Sequence, residues 1–372
     1  MSRQQKIITD YKDMRIWAQE SGAKKCLLVC GNSVSHLRAF NKYLQEIEHD
    51  VDVVHFSDFR PNPLYESVVE GVKVFRESAC DSIVAVGGGS AIDVAKCIKL
   101  YSNMQGDGMN GDFLVQQPIS NDIPFLAMPT TAGTGSEATR YAVIYYRDMK
   151  QSITSELLLP DTILMDSNVL KTLPLYQRKA TMLDAFAHAI ESFWSVNSTV
   201  VSKKYSEEAI QLILRHMKGY LMDNDEGNRG MLMAAHIAGK AINITQTTAG
   251  HAMCYKVTSM FSVAHGHAAA MCNRVLFPWM LRHMDRCIDP RGMDYLALTF
   301  EEIADAMGCR SAMEAADRTR KMFDDMELEV PTATKEQIEQ LKVSVNPVRL
   351  KNHPIRLDEE IIGQLYQEIL SR

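Results

Sequence analysis

Asp184 and His188 stand four residues apart in a stretch with helical periodicity, which places a carboxylate and an imidazole on one helix face, about a turn apart. Farther along come His251, preceded by Gly250, and the group His265-Gly266-His267. One carboxylate with two or three imidazoles suits a divalent first-row metal. Taken singly, each histidine reads more simply as a hydrogen-bonded structural residue, and an Asp–His pair at this spacing also serves as a surface pair. The argument for a metal rests on the combination. Two glycine-rich segments point to phosphate. Gly87-Gly-Gly-Ser-Ala-Ile-Asp93 follows an apolar run and opens a helix, where free N–H groups and the positive end of the helix dipole favour an anion. Ser90 and Asp93 also have the spacing of a helix cap, so a plain tight turn is the alternative. Pro129-Thr-Thr-Ala-Gly-Thr-Gly-Ser-Glu137 adds small hydroxyls and glycines suited to a diphosphate or ribose.

The elements that must hold these residues are partly legible. Apolar runs at 25–30, 52–56, 82–86 and 125–128 read as strands. Between them lie helical spacings through Leu37, Phe40 and Leu44, then Val68, Val72 and Phe75, with a turn at Arg60-Pro-Asn-Pro63. This alternation predicts a parallel sheet with helices on both faces. From about residue 175 the pattern becomes helical throughout, at 178–193, 203–220, 231–244, 300–307, 312–326 and 335–343. The expected organisation is an α/β domain over 1–177 and an all-α domain over 178–372, with the ligand in a cleft between them.

Composition narrows the function. With 372 residues, two to three domains are expected at about 150 residues each. Apolar residues make up 46% of the chain, enough for cores that need no cross-links. The 40 basic and 46 acidic residues leave a net charge of −6, against a nucleic-acid binder and without a polybasic patch for a membrane. No apolar run approaches the roughly 18 residues of a membrane span. The polar start, Met-Ser-Arg-Gln-Gln-Lys, lacks the apolar core of a signal peptide, so a soluble cytoplasmic protein is expected. The eight cysteines form no C-x-x-C pair and read as free, structural thiols.

Taken together, these motifs resemble the iron-containing (group III) alcohol dehydrogenase family over nearly the whole chain. The resemblance runs through Pro61-Asn-Pro63, Gly87-Gly-Gly-Ser90 with Asp93, Thr130-Thr-Ala-Gly-Thr-Gly-Ser-Glu137, Leu158-Leu-Pro160, Asp184-x-x-x-His188-Ala-Ile-Glu191-Ser, and His251 with His265-Gly266. It implies a Rossmann-like dinucleotide-binding domain followed by a helical metal domain. It further implies one divalent metal on Asp184, His188, His251 and His265, with Fe(II) favoured and Zn(II), Mn(II) or Co(II) accommodated. The cofactor would be NADP(H) or NAD(H), met by Gly31, Asn32, Asn62, Gly87, Gly88, Gly89, Ser90, Asp93, Thr130, Thr131, Thr134, Ser136 and Lys150. The partners implied are a small aldehyde or alcohol and further copies of the chain, as a homodimer or larger homo-oligomer.

Two departures from the family pattern carry expectations of their own. Many members place a histidine four residues after the one matching His251. Here that position is Tyr255, so the proton relay falls to Tyr255 or His267. Many NAD-preferring members carry an acidic residue after the first strand, whereas Cys30-Gly31-Asn32-Ser33 has none, so NADPH is expected to be accepted.

For substrate, the stretches 138–144, 194–199 and 243–253 look like the branch of reductases acting on phosphonoacetaldehyde and sulfoacetaldehyde. Arg140 offers a planar fork to such an anion, and Asn197, Ser198, Thr247 and Thr248 offer neutral donors. The alternative for Arg140 is an interdomain ion pair, with the hydroxyls capping helices. Competing functions are a dehydroquinate synthase-like cyclase, which uses NAD without net redox change, and a silent nucleotide-binding protein.

Overall fold

The computed structural model describes residues 5–32, 34, 37, 40–147 and 149–371. The chain divides between Leu173 and Pro174 into two compact units. Residues 174–177 therefore start the helical unit instead of closing the α/β one.

The first unit is built on strands β1 (Lys6–Ile8), β2 (Lys25–Cys30), β3 (Asp52–Phe56), β4 (Ser82–Gly87), β5 (Phe125–Pro129), β6 (Tyr141–Tyr146), β7 (Met149–Thr154) and β8 (Thr162–Leu164). Its helices are α1 (Asp13–Ser21), α2 (Phe40–Glu48), α3 (Tyr65–Glu77), α4 (Gly89–Tyr101) and the short α5 (Asp112–Val115). Six strands pair in parallel in the order β1-β8-β5-β4-β2-β3, while β6 and β7 form a separate antiparallel hairpin. The central strands β4 and β5 are buried along their whole length, as expected of unbroken apolar runs covered on both faces. Ile83, Ala85 and Phe125 pack there with Ile92, Ala95 and Ile98 of α4. Because the sheet is parallel, the turns after β2, β4 and β5 leave its carboxyl edge side by side. Ligands of open α/β sheets bind at that edge.

The second unit contains α6 (Leu175–Trp194), α7 (Val200–Leu221), α8 (Asp225–Thr245), α9 (Ala249–Phe261), α10 (His265–Arg282), α11 (Met293–Met307), α12 (Ala312–Asp324), α13 (Lys335–Ser344), α14 (Pro347–Leu350) and α15 (Glu359–Ile369). Helix α6 is buried almost all round. A helix with so little solvent-facing surface belongs to the centre of its bundle. Every cysteine is free, and six of the eight are buried. No described helix is long and apolar enough to cross a membrane.

Candidate functional site

In the α/β unit, the two glycine-rich loops meet. Thr130 N–H donates to the Gly87 carbonyl (3.0 Å) across the β4–β5 register. A Cβ on Gly88 would lie 3.3 Å from Thr131, and one on Gly89 would lie 3.0 Å from Thr134. The loops thus pack backbone against side chain, and a larger residue at either position would press the facing threonine aside by a few tenths of an ångström. Gly88 is the N-cap of α4, and no side chain caps that helix. Ala91 N–H turns back to the Gly88 carbonyl (3.1 Å), and the N–H groups before it, which neither Ser90 nor Asp93 caps, suit an anion.

Asp93 is engaged with the second loop. Its Oδ1 accepts from Ser136 Oγ (2.6 Å) and its Oδ2 from Val143 N–H (2.9 Å), so both residues brace the second loop from below. Lys96 was not anticipated. Its buried Nζ donates to the carbonyls of Ser136 (2.6 Å), Thr139 (2.7 Å) and Tyr141 (2.7 Å), three residues along α4 from Asp93. Burial lowers its pKa to about 8, against the attraction of Asp93 and Glu137. Lys150 sits on β7 with its charge acting on Asp93 as well. Lys96→Met should cost about 3 kcal/mol by leaving three buried carbonyls without their donor, at about 1–3 kcal/mol for each buried group left unpaired. Chemical denaturation measures it, and a loss below about 1 kcal/mol would refute this bracing role.

The remaining nucleotide candidates divide. Gly31 and Asn32 follow β2 at the same sheet edge, half-buried and exposed, whereas Ser33 lies outside the described residues. Asn62 is exposed in the Pro-Asn-Pro turn with a φ of 57°.

In the helical unit, Asp184 and His188 project from α6 and His251 from α9. One ligand atom of each falls within 4.8 Å of the other two, all three side chains being buried. The His188 and His251 rings stack at 4.5 Å, and His251 Nε2 lies 3.4 Å from Asp184 Oδ1. Those last two atoms are buried without a hydrogen-bond partner. Such orphaned lone pairs fit a metal at their centre, since divalent ions take N and O ligands at about 2.0–2.2 Å. His265, the first residue of α10, borders the group with its ring 5.4 Å from that of His251.

Glu191 completes the centre; in the sequence it stands within the Asp184-x-x-x-His188-Ala-Ile-Glu191 motif with no chemistry of its own. It lies seven residues after Asp184 and three after His188, on the same face of α6; that spacing was the available signal. Its Oε1 accepts from His251 Nδ1 (2.6 Å) and Asn273 Nδ2 (2.8 Å), and its Oε2 from the N–H (2.6 Å) and Oγ1 (2.9 Å) of Thr248. With Nδ1–H given to Glu191, the Nε2 lone pair of His251 turns toward Asp184 and His188. Burial works against ionisation of both carboxylates. For Glu191, the His251 charge and these hydrogen bonds prevail and hold its pKa down to about 2. The imidazoles of His188, His251 and His265 likewise keep Asp184 well below the usual carboxylate range. Among the described residues neither carboxylate meets a lysine or arginine. A pocket with this balance invites a cation.

The glycines beside the histidines let the helices close on this point. A Cβ on Gly250 would lie 2.5 Å from Glu191 Oε1, and one on Gly266 would lie 2.4 Å from Asp184 Cβ.

Several expected substrate and relay residues have other work. Arg140 donates to Glu156 Oε1 (2.7 Å) within its own unit, so a carboxylate already meets its charge there. Ser198 accepts from Arg291 (2.9 Å), and Thr248 Oγ1 accepts from Trp194 Nε1 (2.9 Å) while donating to Glu191. Asn197 binds the Thr245 carbonyl and Asn352, and Asn352 also donates to the Thr247 carbonyl. His267, two residues past His265, points round the helix to Tyr176 OH (3.2 Å) and Phe323, away from the metal group. Tyr176 OH also accepts from Ala264 N–H (2.9 Å), steadying the start of α10. Tyr255, by contrast, packs its ring 5.2 Å from that of His265.

Residues 10–167 match the family model for iron-containing alcohol dehydrogenase, and residues 179–370 match the C-terminal model of the same family. A 1,3-propanediol dehydrogenase of Citrobacter freundii is 32% identical over 303 residues, covering 79% of this chain and 76% of its own. A choline dehydrogenase of Bacillus subtilis (strain 168) is 29% identical over 364 residues, covering 93% and 88%. Among solved structures, sulfoacetaldehyde reductase from Bifidobacterium kashiwanohense in complex with NAD+ superposes with a TM-score of 0.87 at 23% identity, over 100% of this chain and 97% of that one. That likeness is one of fold.

Proposed function

The chain belongs to the iron-containing alcohol dehydrogenase family, whose members are NAD(P)-dependent oxidoreductases using a divalent metal, and from that premise we propose that it reduces a short anionic aldehyde, represented by phosphonoacetaldehyde, to the alcohol, here 2-hydroxyethylphosphonate. The observation that carries the redox chemistry is the buried group of Asp184, His188 and His251, with ligand atoms of all three within 4.8 Å of one another. Asp184, His188, His251 and His265 would hold the metal, with Fe(II) first in line. When bound, it supplies Lewis acidity to the substrate oxygen. Glu191 keeps His251 in the tautomer that can ligate. The uncapped start of α4 and the Thr130–Thr134 loop would hold the cofactor diphosphate. Of the two relay candidates, Tyr255 stands against His265 and His267 does not. The anionic substrate is supported by the sequence of 138–144, 194–199 and 243–253, with sulfoacetaldehyde as the second choice.

Purified enzyme should oxidise NAD(P)H at 340 nm with phosphonoacetaldehyde or sulfoacetaldehyde at a kcat/KM above that for propanal or succinic semialdehyde. A higher kcat/KM for the neutral aldehyde would sink the anionic reading. Absence of any net NAD(P)H turnover would favour a cyclase or silent nucleotide binder. The same assay compares cofactors. Lacking a carboxylate after β2, the enzyme should use NADPH at least as well as NADH, and a preference for NADH above about tenfold, or 1.4 kcal/mol, would contradict it.

A further inference from the structure

Arg349 on α14 donates through Nη1 to Tyr255 OH (3.1 Å), and its guanidinium carbon sits 4.8 Å above the Tyr255 ring. That ring packs in turn against His265. Arg140, Arg178, Arg274, Arg286, Arg291 and Arg310 each meet a carboxylate. Among the described residues Arg349 meets none: its partners are one hydroxyl and one aromatic face. A neutral hydroxyl and a ring hold a guanidinium in place without cancelling its charge.

The segment around Arg349 is built to stay put. Asn346 Oδ1 accepts from Val348 N–H (2.9 Å) at the start of α14. Asn352 accepts from Val196 N–H (3.0 Å) and donates to Gln246 Oε1 (2.9 Å) and the Thr247 carbonyl (3.3 Å). Those contacts tie it to the turn that opens α9, the helix of His251 and Tyr255. Gln246 holds a φ of 60° there, a backbone state that side chains disfavour and that is retained where the surroundings impose it. One residue beyond Asn352, His353 is fully buried, and burial pushes its imidazole down to about 4 against the attraction of Glu191.

We propose that Arg349, seated on Tyr255 against His265, is the anchor for the tetrahedral oxyanion of the substrate, a phosphonate or sulfonate. This rests on the anionic-aldehyde reading above. A planar fork pairs with two oxygens of such a group at once, and the aldehyde end is left to face the histidines. The assignment moves the anion site from the compensated Arg140 of the α/β unit to the helical unit that carries the metal residues.

The test compares the full-length enzyme with Arg349→Met and Arg349→Lys. In Arg349→Met, KM for phosphonoacetaldehyde should rise about ten- to hundredfold, the range of a charge-assisted pair, while KM for propanal stays within about twofold, whatever change in kcat the two substrates share through Tyr255. Calorimetric binding of phosphonoacetate, which carries the anion but no aldehyde, should weaken to a similar degree. Arg349→Lys should retain part of both, with sulfoacetaldehyde separating sulfonate from phosphonate preference. Thermal melts matching the parent and unchanged NADPH binding certify the fold of each variant. Equal rises in KM for charged and neutral substrates, or none for either, would overturn the anchor. If the parent enzyme reduces propanal but neither anionic aldehyde, the anionic reading itself fails and the anchor with it.

Discussion

His251→Ala should leave a protein that still binds NADPH but carries little metal and loses at least about three orders of magnitude in kcat/KM, some 4 kcal/mol of transition-state stabilisation. His251 is the hub of the centre. Its Nε2 faces Asp184, its Nδ1 is bonded to Glu191, its ring stacks on His188, and His265 lies beside it. Alanine removes all four relations at once and leaves Asp184 and Glu191 as buried carboxylates with less opposing charge. The nucleotide loops of the α/β unit brace one another through their own residues, so cofactor binding is the internal control. Elemental analysis of the purified variant, NADPH fluorescence titration and the 340 nm assay check the three parts. A variant with full metal content and activity within about tenfold of the parent would remove His251 from the centre.

The parallel sheet was legible because its central strands are covered on both faces. Burial demands unbroken apolar runs, and 82–86 and 125–128 supply them. Strands β1 and β8 escaped notice, since three residues carry no period. The β6–β7 hairpin was missed too. Its strands are partly buried, and Lys96 beneath it, on which the turn before β6 depends, is a long-range contact with no local signature. Helices α9 and α10 were missed for a different reason. Gly250 and Gly266 look like breaks in a helical pattern, yet both sit inside helices where a neighbouring helix presses close.

The metal group shows the same division between local and non-local information. Asp184 and His188 share a helix face, so their spacing alone brought them together. His251 and His265 lie on other helices, and only the motif order tied them to the first two. Arg140 shows the converse. A lone arginine after a cofactor loop is a reasonable anion site until Glu156, 16 residues on, is seen to fold back on it. Charge compensation is a property of the folded chain, and for that reason Arg349, unremarked in the sequence, draws notice only once its partners prove to be a hydroxyl and a ring beside His265.

Glu191 offers the sharpest separation between holding the fold and holding the metal. In Glu191→Ala, Thr248 N–H, Thr248 Oγ1, Asn273 Nδ2 and His251 Nδ1 all lose their acceptor. Each buried donor left unpaired costs about 1–3 kcal/mol, so the metal-free protein should lose several kcal/mol and melt far earlier. Glu191→Gln keeps the volume and one acceptor oxygen. If that oxygen stays with Thr248, the amide group faces His251 Nδ1 as a donor. The imidazole then has to move its proton to Nε2, the atom that faces Asp184 and His188. Stability should therefore fall modestly, by about 1 kcal/mol, while metal affinity drops about 10–100-fold, as loss of an outer carboxylate–histidine contact does. Thermal melts of the metal-free proteins and competition titration with a chelator separate the two quantities. The distinguishing result is the ratio. Were glutamine to lower stability as far as alanine does and leave metal affinity untouched, Glu191 would be a packing residue of α6 and not the group that orients His251.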